Sequence, residues 1–361
     1  MKYKIGLCSS HVFSNTEKRA LYEYFGDFES IYSASKDQLL SLEFLTPEKV
    51  LEFCSEKSKT NLEEMCSYME KEKIFCISCF DEEFPEKLKH IHDVPFQLFY
   101  KGDLPGKNER IVAVVGARMC SGYGKSKTLE LCELLGNNGF SVVSGMAMGI
   151  DSYAHEGALN ANGKTYAVLG CGVDVCYPSK NQSLYKQIIN TGCVMSEFAP
   201  KVHPQPEFFP RRNRIISGMA DAVILIEAKE RSGSLITANL ALEQGKDIFA
   251  LPGRISDPLS YGTNKIISQG AGIIVSFEKL VDDIKDLTDF HYIPAVFPPK
   301  KKFNLEKEEL LVYSCFDFNS KSIEEVASET KMDILTVLQI VLHLCEYNLI
   351  EETFMNQYIK V

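Results

Sequence analysis

Residues 209–245 read FPRRNRIISGMADAVILIEAKERSGSLITANLALEQG. Three arginines, Arg211, Arg212 and Arg214, stand within four positions. The apolar run at 222–226 then reads as a strand. Ser232, Gly233 and Ser234 form a turn that leads straight into a helical pattern over 235–244. Cationic side chains and a helix N-terminus therefore fall close together in the chain. Both favour anions, and phosphate is the expected one.

The flanking sequence repeats strand, loop and helix. Upstream, a β-branched run at 111–115 enters GARMCSGYG (116–124) and a helix over 125–135. A strand at 140–143 enters SGMAMGID and a helix over 151–160. A strand at 165–169 enters GCGVD, and a helix covers 184–190. Downstream come a strand at 248–251, a short helix at 266–269 and a last strand at 272–275. This alternation predicts right-handed βαβ units and a parallel sheet with helices on both faces. Ligands of such sheets bind beyond the carboxyl ends of the strands. GARMCSGYG, SGMAMGID, GCGVD and KERSGS all fall on that edge.

The two ends differ from the middle. Residues 1–72 read as a small helical domain, like a helix-hairpin-helix or sterile-alpha-motif unit. Its expected features are a helix over 18–32 broken at Gly26-Asp27, Thr46 capping a helix that has Pro47 at N1, and a capping box from Thr60 to Glu63. Residues 73–110 read as a connector with a strand at 74–79. Residues 282–303 read as a linker. Three helices over 304–316, 322–329 and 333–347, then a ribbon turning at Met355-Asn356, make a winged-helix-like pattern over 304–361. Its third helix has no Lys or Arg, which favours a structural or protein-contact module over a duplex reader.

The net charge of −10 argues against a polyanionic partner until it is divided. Residues 101–277 carry 18 Lys+Arg against 15 Asp+Glu, so the acidity lies in the two ends. No stretch of about 18 consecutive apolar residues predicts a membrane span, and the N-terminus lacks a signal-peptide core. A cytoplasmic protein with no membrane partner is expected. The twelve cysteines are scattered apart from Cys76 and Cys79, whose C-x-x-C has no second pair to complete a zinc ribbon. They read as reduced and structural, and no metal or cofactor is expected.

The chemistry narrows by exclusion. GARMCSGYG lacks G-x-G-x-x-G spacing, and the second strand ends in Ser144-Gly145 rather than an acidic ribose ligand. No Walker loop is present. Five basic residues remain at the ligand edge: Arg118, Lys180, Arg211, Arg212 and Arg214. Ser121 and Gly122 join the Ser232-Gly233-Ser234 turn as backbone and hydroxyl donors to phosphate. Tyr123 and Tyr177 are candidate base-stacking partners. The rival is a hydrolytic site built from Asp151 and His155, four apart on one helix, with Glu197 or Glu227. In the plainer reading Asp151 caps its helix and His155 packs against a neighbouring loop.

The motifs VAVVGAR, SGYG, SGMAMGIDSYAH, YAVLGCGVDVCYP, SEFAP, FPRRNRIISG, EAKERSGSLITANLALEQGKDIFALPG and YGTNKIISQGA follow one another in order. In this the chain resembles the DNA-processing protein A family (DprA/Smf), densely over 75–277. The resemblance implies an α/β fold: an extended Rossmann-like domain over 73–281, between the helical and winged-helix-like domains. It implies a non-enzymatic protein that binds single-stranded DNA, protects incoming strands in natural transformation and loads the recombinase RecA. It also implies a homodimer formed through the Rossmann domain, for which Ile266 and Ile273 are the expected contacts. The family's loop arginine falls on Arg118. Two departures stand out: Gly-Ala-Arg replaces the usual Gly-Ser/Thr-Arg, and Ser179 occupies a place that can be basic in relatives, leaving Lys180 as the substitute. Nucleotide phosphoribohydrolases resemble the chain more distantly, and their Pro-Gly-Gly-x-Gly-Thr loop is replaced by Arg-Ser-Gly-Ser-Leu-Ile-Thr. A hydrolase of that type is the alternative.

Overall fold

The computed structural model describes residues 1–290, 307–316, 321–347, 349–354 and 356–360. Residues 291–303 of the expected linker, 304–306 of the expected helix and Met355 of the expected turn lie outside them. The chain divides into two units, Met1–Tyr292 and Ile293–Val361.

The first unit is built on a nine-stranded sheet. Its strands in chain order are β1 (Phe75–Ser78), β2 (Gln97–Gly102), β3 (Ile111–Val115), β4 (Ser141–Ser144), β5 (Thr165–Val168), β6 (Cys193–Ser196), β7 (Ala222–Leu225), β8 (Asp247–Ala250) and β9 (Gly272–Ile273). Across the sheet they lie in the order β1-β2-β6-β5-β4-β3-β7-β8-β9. The seven strands from β6 to β9 are parallel. The purely parallel sheet expected from the repeats needs one correction. The connector supplies β1 and β2, which close one edge: β2 runs antiparallel to β6, and β1 antiparallel to β2. Between β1 and β2 the connector makes only a single short 3-10 turn, Glu86–His90, rather than a crossover α-helix, and the two strands pair antiparallel.

Alternate residues of β3 feed two cores. Ile111, Ala113 and Val115 pack with Ile215, Ile216 and Met219 on one face. Val112 and Val114 pack with Leu131, Ile150 and Ala154 on the other. Burial on both faces is why the strand is continuously apolar. The second face also takes Phe277, Leu280, Val281 and Ile284. These follow helical spacing, and the helix Phe277–Phe290 occupies 282–290 where a linker was expected. Acidic residues on its outer face disguised it.

Two further elements escaped the sequence reading. The strand β6 has only four residues. The helix Phe208–Met219 contains all three arginines of FPRRNR. Six short helices over residues 2–71 pack on the β1–β2 edge around Leu7, Leu21, Ile31 and Phe53. Gly26, at φ +84°, ends the helix Asn15–Phe25, and Thr46 caps the helix Pro47–Lys59. The expected box at Thr60 shifts by one: Asn61 caps the helix Leu62–Lys71 by accepting from the Glu64 amide.

The second unit contains helices Lys307–Cys315, Ile323–Thr330 and Ile334–Glu346, and an antiparallel pair, β10 (Ile350–Phe354) and β11 (Gln357–Lys360). Ser322 and Glu325 form a capping box, and Asn356 sits at φ +58° in the turn. Among the described residues no helix is long and apolar enough to cross a membrane.

Candidate functional site

Strand order reverses between β3 and β7. From β3 the chain winds one way to β4, and from β7 the other way to β8. The carboxyl ends of such a pair diverge and leave a crevice. Here it is a cavity of about 650 Å³. The loop after β3 brings Arg118 and Met119. The loop after β7 brings Lys229, Arg231 and the first turn of the helix Gly233–Glu243. A third loop, after β4, closes the floor. Gly149, at φ +82°, makes that closure: a Cβ there would lie 2.3 Å from the Ala117 carbonyl oxygen.

The helix Phe208–Met219 distributes its arginines by rotation of about 100° per residue. Arg212 points beneath the cavity. It is buried, and its Nη1 donates to the Gly145 carbonyl at 2.8 Å and to that of Val168. A Cβ on Gly145 would meet this guanidinium at 2.5 Å. Burial draws the Arg212 pKa down to about 10, against the pull of Asp151, so the group stays charged at neutral pH. Arg214, two residues on, faces the opposite way. It is buried between Asp93 and Glu197, 2.7 Å from each. Arg211 is half exposed beside Glu197 at 3.3 Å and does not line the cavity. The three arginines that read as one cluster therefore separate, and only Arg212 reaches the site.

Arg118 is exposed at the cavity wall, 5.3 Å from the Phe209 ring centroid. The ring of Tyr177, itself 45 % exposed, lies 5.7 Å from Phe209 on the same wall. Lys180 sits on a short turn three residues past Tyr177, exposed but outside the cavity lining. Tyr123 is exposed and also outside it. Ser232, Gly233 and Ser234 all line the cavity. Ser232 caps the helix, and its hydroxyl lies 2.7 Å from that of Ser234.

Ser121 and Gly122 depart from expectation. Neither lines the cavity. Ser121 caps the helix Gly122–Asn137, and both its amide and its hydroxyl donate to Glu227. The pair therefore ties the loop after β3 to the end of β7. Lys229 and Arg231 are what the sequence reading missed. Their signal was their position in KERSGS, immediately before a helix N-terminus. Four cations thus face the cavity, Arg118, Arg212, Lys229 and Arg231, against one carboxylate, Asp151. Among the described residues no carboxylate pairs with Arg118, Lys229 or Arg231.

The acid–base candidates are otherwise engaged. Burial pushes the Asp151 carboxyl upward, opposed by Arg212 and by the amides of Ala147 and Gly145. Its helix, Ile150–Asn160, has Gly149 rather than Asp151 at the N-cap. His155 is fully buried, with Nδ1 2.6 Å from the Thr165 hydroxyl oxygen. That hydroxyl donates to the Val142 carbonyl, so it accepts from Nδ1–H. Burial draws the imidazole pKa down to about 3 and keeps it neutral.

The family model described as DNA recombination-mediator protein A matches residues 75–285. The chain is 44 % identical over 216 residues to the DNA processing protein DprA of Streptococcus pneumoniae, covering 60 % of this chain and 76 % of that one. It is 38 % identical over 237 residues to the protein Smf of Escherichia coli, covering 65 % and 63 % respectively. The crystal structure of the Streptococcus pneumoniae protein superposes with a TM-score of 0.64 at 36 % identity, over 78 % of this chain and 98 % of that one. A structure of DNA processing protein A from Helicobacter pylori, described for its single-stranded DNA binding mode, superposes with a TM-score of 0.54 at 30 % identity over 59 % and 96 %. The cation-lined crevice at the β3–β7 reversal thus lies within the matched region, and the chain belongs to the DNA recombination-mediator protein A family.

Proposed function

We propose that the β3–β7 cavity binds the backbone of single-stranded DNA. The observation that carries this reading is the convergence of Arg118, Lys229 and Arg231, without carboxylate partners, on the N-terminus of the helix Gly233–Glu243. Side-chain cations and helix amides both take phosphate. Arg212 adds a fixed charge from below, and Tyr177 offers a ring to a base. Ser144, where a dinucleotide site would place an acidic ribose ligand near the second strand's end, donates instead to the Val114 carbonyl. The single-stranded DNA binding named for the Helicobacter pylori relative supports the same reading.

In this reading the protein is a non-enzymatic mediator in the cytoplasm that protects incoming strands and loads RecA during natural transformation. Support for the absence of catalysis comes from the four acid–base candidates. His155 is buried outside the cavity lining, Asp151 is held by Arg212 and the amides of Ala147 and Gly145, Glu197 is paired with Arg214, and Glu227 holds Ser121. The working form is a homodimer. Of the two expected contacts, Ile273 is half exposed on the edge strand β9, whereas Ile266 is buried in the core and serves packing instead.

Fluorescence anisotropy with labelled single-stranded and double-stranded DNA across a salt series tests the reading. Expected is tighter binding of the single strand, weakening steeply with salt. Absence of binding at low salt, with release of free base from a nucleoside monophosphate, would replace it with the hydrolase.

A further inference from the structure

A second cavity, of about 410 Å³, lies among the N-terminal helices of the first unit. It opens between the helices Lys2–Ser9, Pro47–Lys59 and Leu62–Lys71 and the loop 199–202 that follows β6. Its volume falls in the range of small-molecule sites, and it sits at a junction between layers where such sites concentrate.

The walls are aromatic and the polar groups are of mixed sign. Tyr32, Phe53 and Tyr68 supply rings. The Lys57 ammonium is held against two of them, 5.7 Å from the centroids of Tyr32 and Phe53. It donates to the carbonyls of Tyr32 at 2.6 Å and Ala34 at 3.1 Å. A lysine has three N–H donors, so one remains. Burial also draws the Lys57 pKa down, a shift that an arriving anion would reverse.

The opposite corner is fixed by Asp174. It accepts from the Tyr68 hydroxyl at 2.7 Å and twice from the Lys201 amide, at 2.8 and 3.0 Å. Lys201 is thereby held at φ +67° with its ammonium 3.9 Å from the Tyr68 centroid. Two lysines are thus positioned before any ligand arrives. The buried Ser9 hydroxyl, on a residue of the cavity lining, has no hydrogen-bond partner.

Glu56 and Glu64 decide the ligand class. Both line the cavity beside the lysines. An acidic peptide would meet two like charges. A nucleotide matches both signs: its phosphate suits the lysines, and the exocyclic N–H groups of its base suit carboxylates. Its flat ring suits aromatic walls.

We propose that this cavity binds one nucleotide unit, as a free nucleoside monophosphate or as the phosphorylated end of a DNA strand. Its phosphate meets the remaining N–H of Lys57, and its base lies against the aromatic walls within reach of Glu56 and Glu64, with Lys201 at the far corner. The proposal does not rest on the β3–β7 cavity binding DNA.

Titration calorimetry of the full chain with dAMP and with deoxyadenosine tests it, in an Arg118→Ala/Arg231→Ala background that weakens the first cavity. Saturable dAMP binding is expected to persist there, about tenfold tighter than deoxyadenosine because of the charged contacts. Lys57→Met, and Met65→Trp, which fills the cavity, should each weaken dAMP about tenfold or more while thermal unfolding stays cooperative. Photolabelling of the wild-type chain with 8-azido-dAMP needs no variant in this cavity and should tag peptides spanning 53–69 or 199–202. Competition by a 5′-phosphorylated oligonucleotide assigns the unit to a strand end, and its failure assigns it to free nucleotide. Absence of dAMP binding in that background, indifference to both substitutions, or labelling confined to the β3–β7 loops overturns the proposal.

Discussion

Arg214 and Arg118 carry the same side chain and do opposite work. Arg214 is enclosed between Asp93 and Glu197 on the helix Phe208–Met219. Arg118 stands on a loop at the cavity wall beside the Phe209 ring, within the field of Asp151 and Arg212 but in no ion pair among the described residues. A cation whose charge is already matched at 2.7 Å has little left for a ligand. Removing it takes the buried partner cation from a buried carboxylate. A cation without a partner contributes little to folding and keeps its full field for an anion. The difference lies in what the fold delivers to each guanidinium, and it predicts which measurement each substitution will move.

The largest effect is expected from Arg214→Ala. It leaves Glu197, which is 3 % exposed, without its closer cationic partner, with the Asn15 amide and the half-exposed Arg211 remaining beside it. Breaking such a buried pair costs about 3–5 kcal/mol. Urea denaturation should show the loss, while DNA affinity of the fraction that remains folded should be nearly unchanged. A large affinity loss without destabilisation would erase the contrast between the two arginines.

Next comes acid sensitivity through His155, a buried group held neutral beside the Arg212 charge. Its folded pKa, about 3, lies below the ordinary 6.5. The unfolded chain therefore binds the proton first. The stability is fully present above pH 6.5 and is lost as pH falls from there toward 3. The loss reaches about 2 kcal/mol by pH 5. Denaturation curves at pH 7 and pH 5 measure it, and His155→Gln should flatten the slope between them.

Arg118→Ala and Arg231→Ala should each reduce single-strand affinity about tenfold and lower the salt slope by about 0.7. Stability should stay within about 0.5 kcal/mol, as for other exposed positions. An unchanged salt slope would place these side chains outside the backbone path. The smallest effect belongs to Arg211→Ala. Its exposed pairing with Glu197 is worth at most about 1 kcal/mol, and binding should change less than for either cavity arginine.

The same contrast marks how far the sequence could be read. The strands β3, β7 and β8 and their loops were legible, because burial on both faces leaves uninterrupted apolar runs and the turns need glycine or serine. The helix Phe208–Met219 was not. Three arginines masked the apolar spacing of Ile215, Ile216 and Met219, and solvent exposure of those arginines was the natural assumption. The helix end at 282–290 was hidden in the same way by its acidic outer face. Ser121 was legible as a loop hydroxyl, but its occupation by Glu227, 106 residues away, has no local sequence signal.

By itself, then, the sequence determined the βαβ alternation, the ligand edge and the family. Each rests on local periodicity and on motif order, which survive without coordinates. The tertiary structure alone decided which cations meet the ligand. Neutralisation of Arg214, burial of Arg212 and exposure of Arg118, Lys229 and Arg231 depend on carboxylates and carbonyls brought from distant parts of the chain. Charge pairing acts through space, so residue order cannot encode it locally.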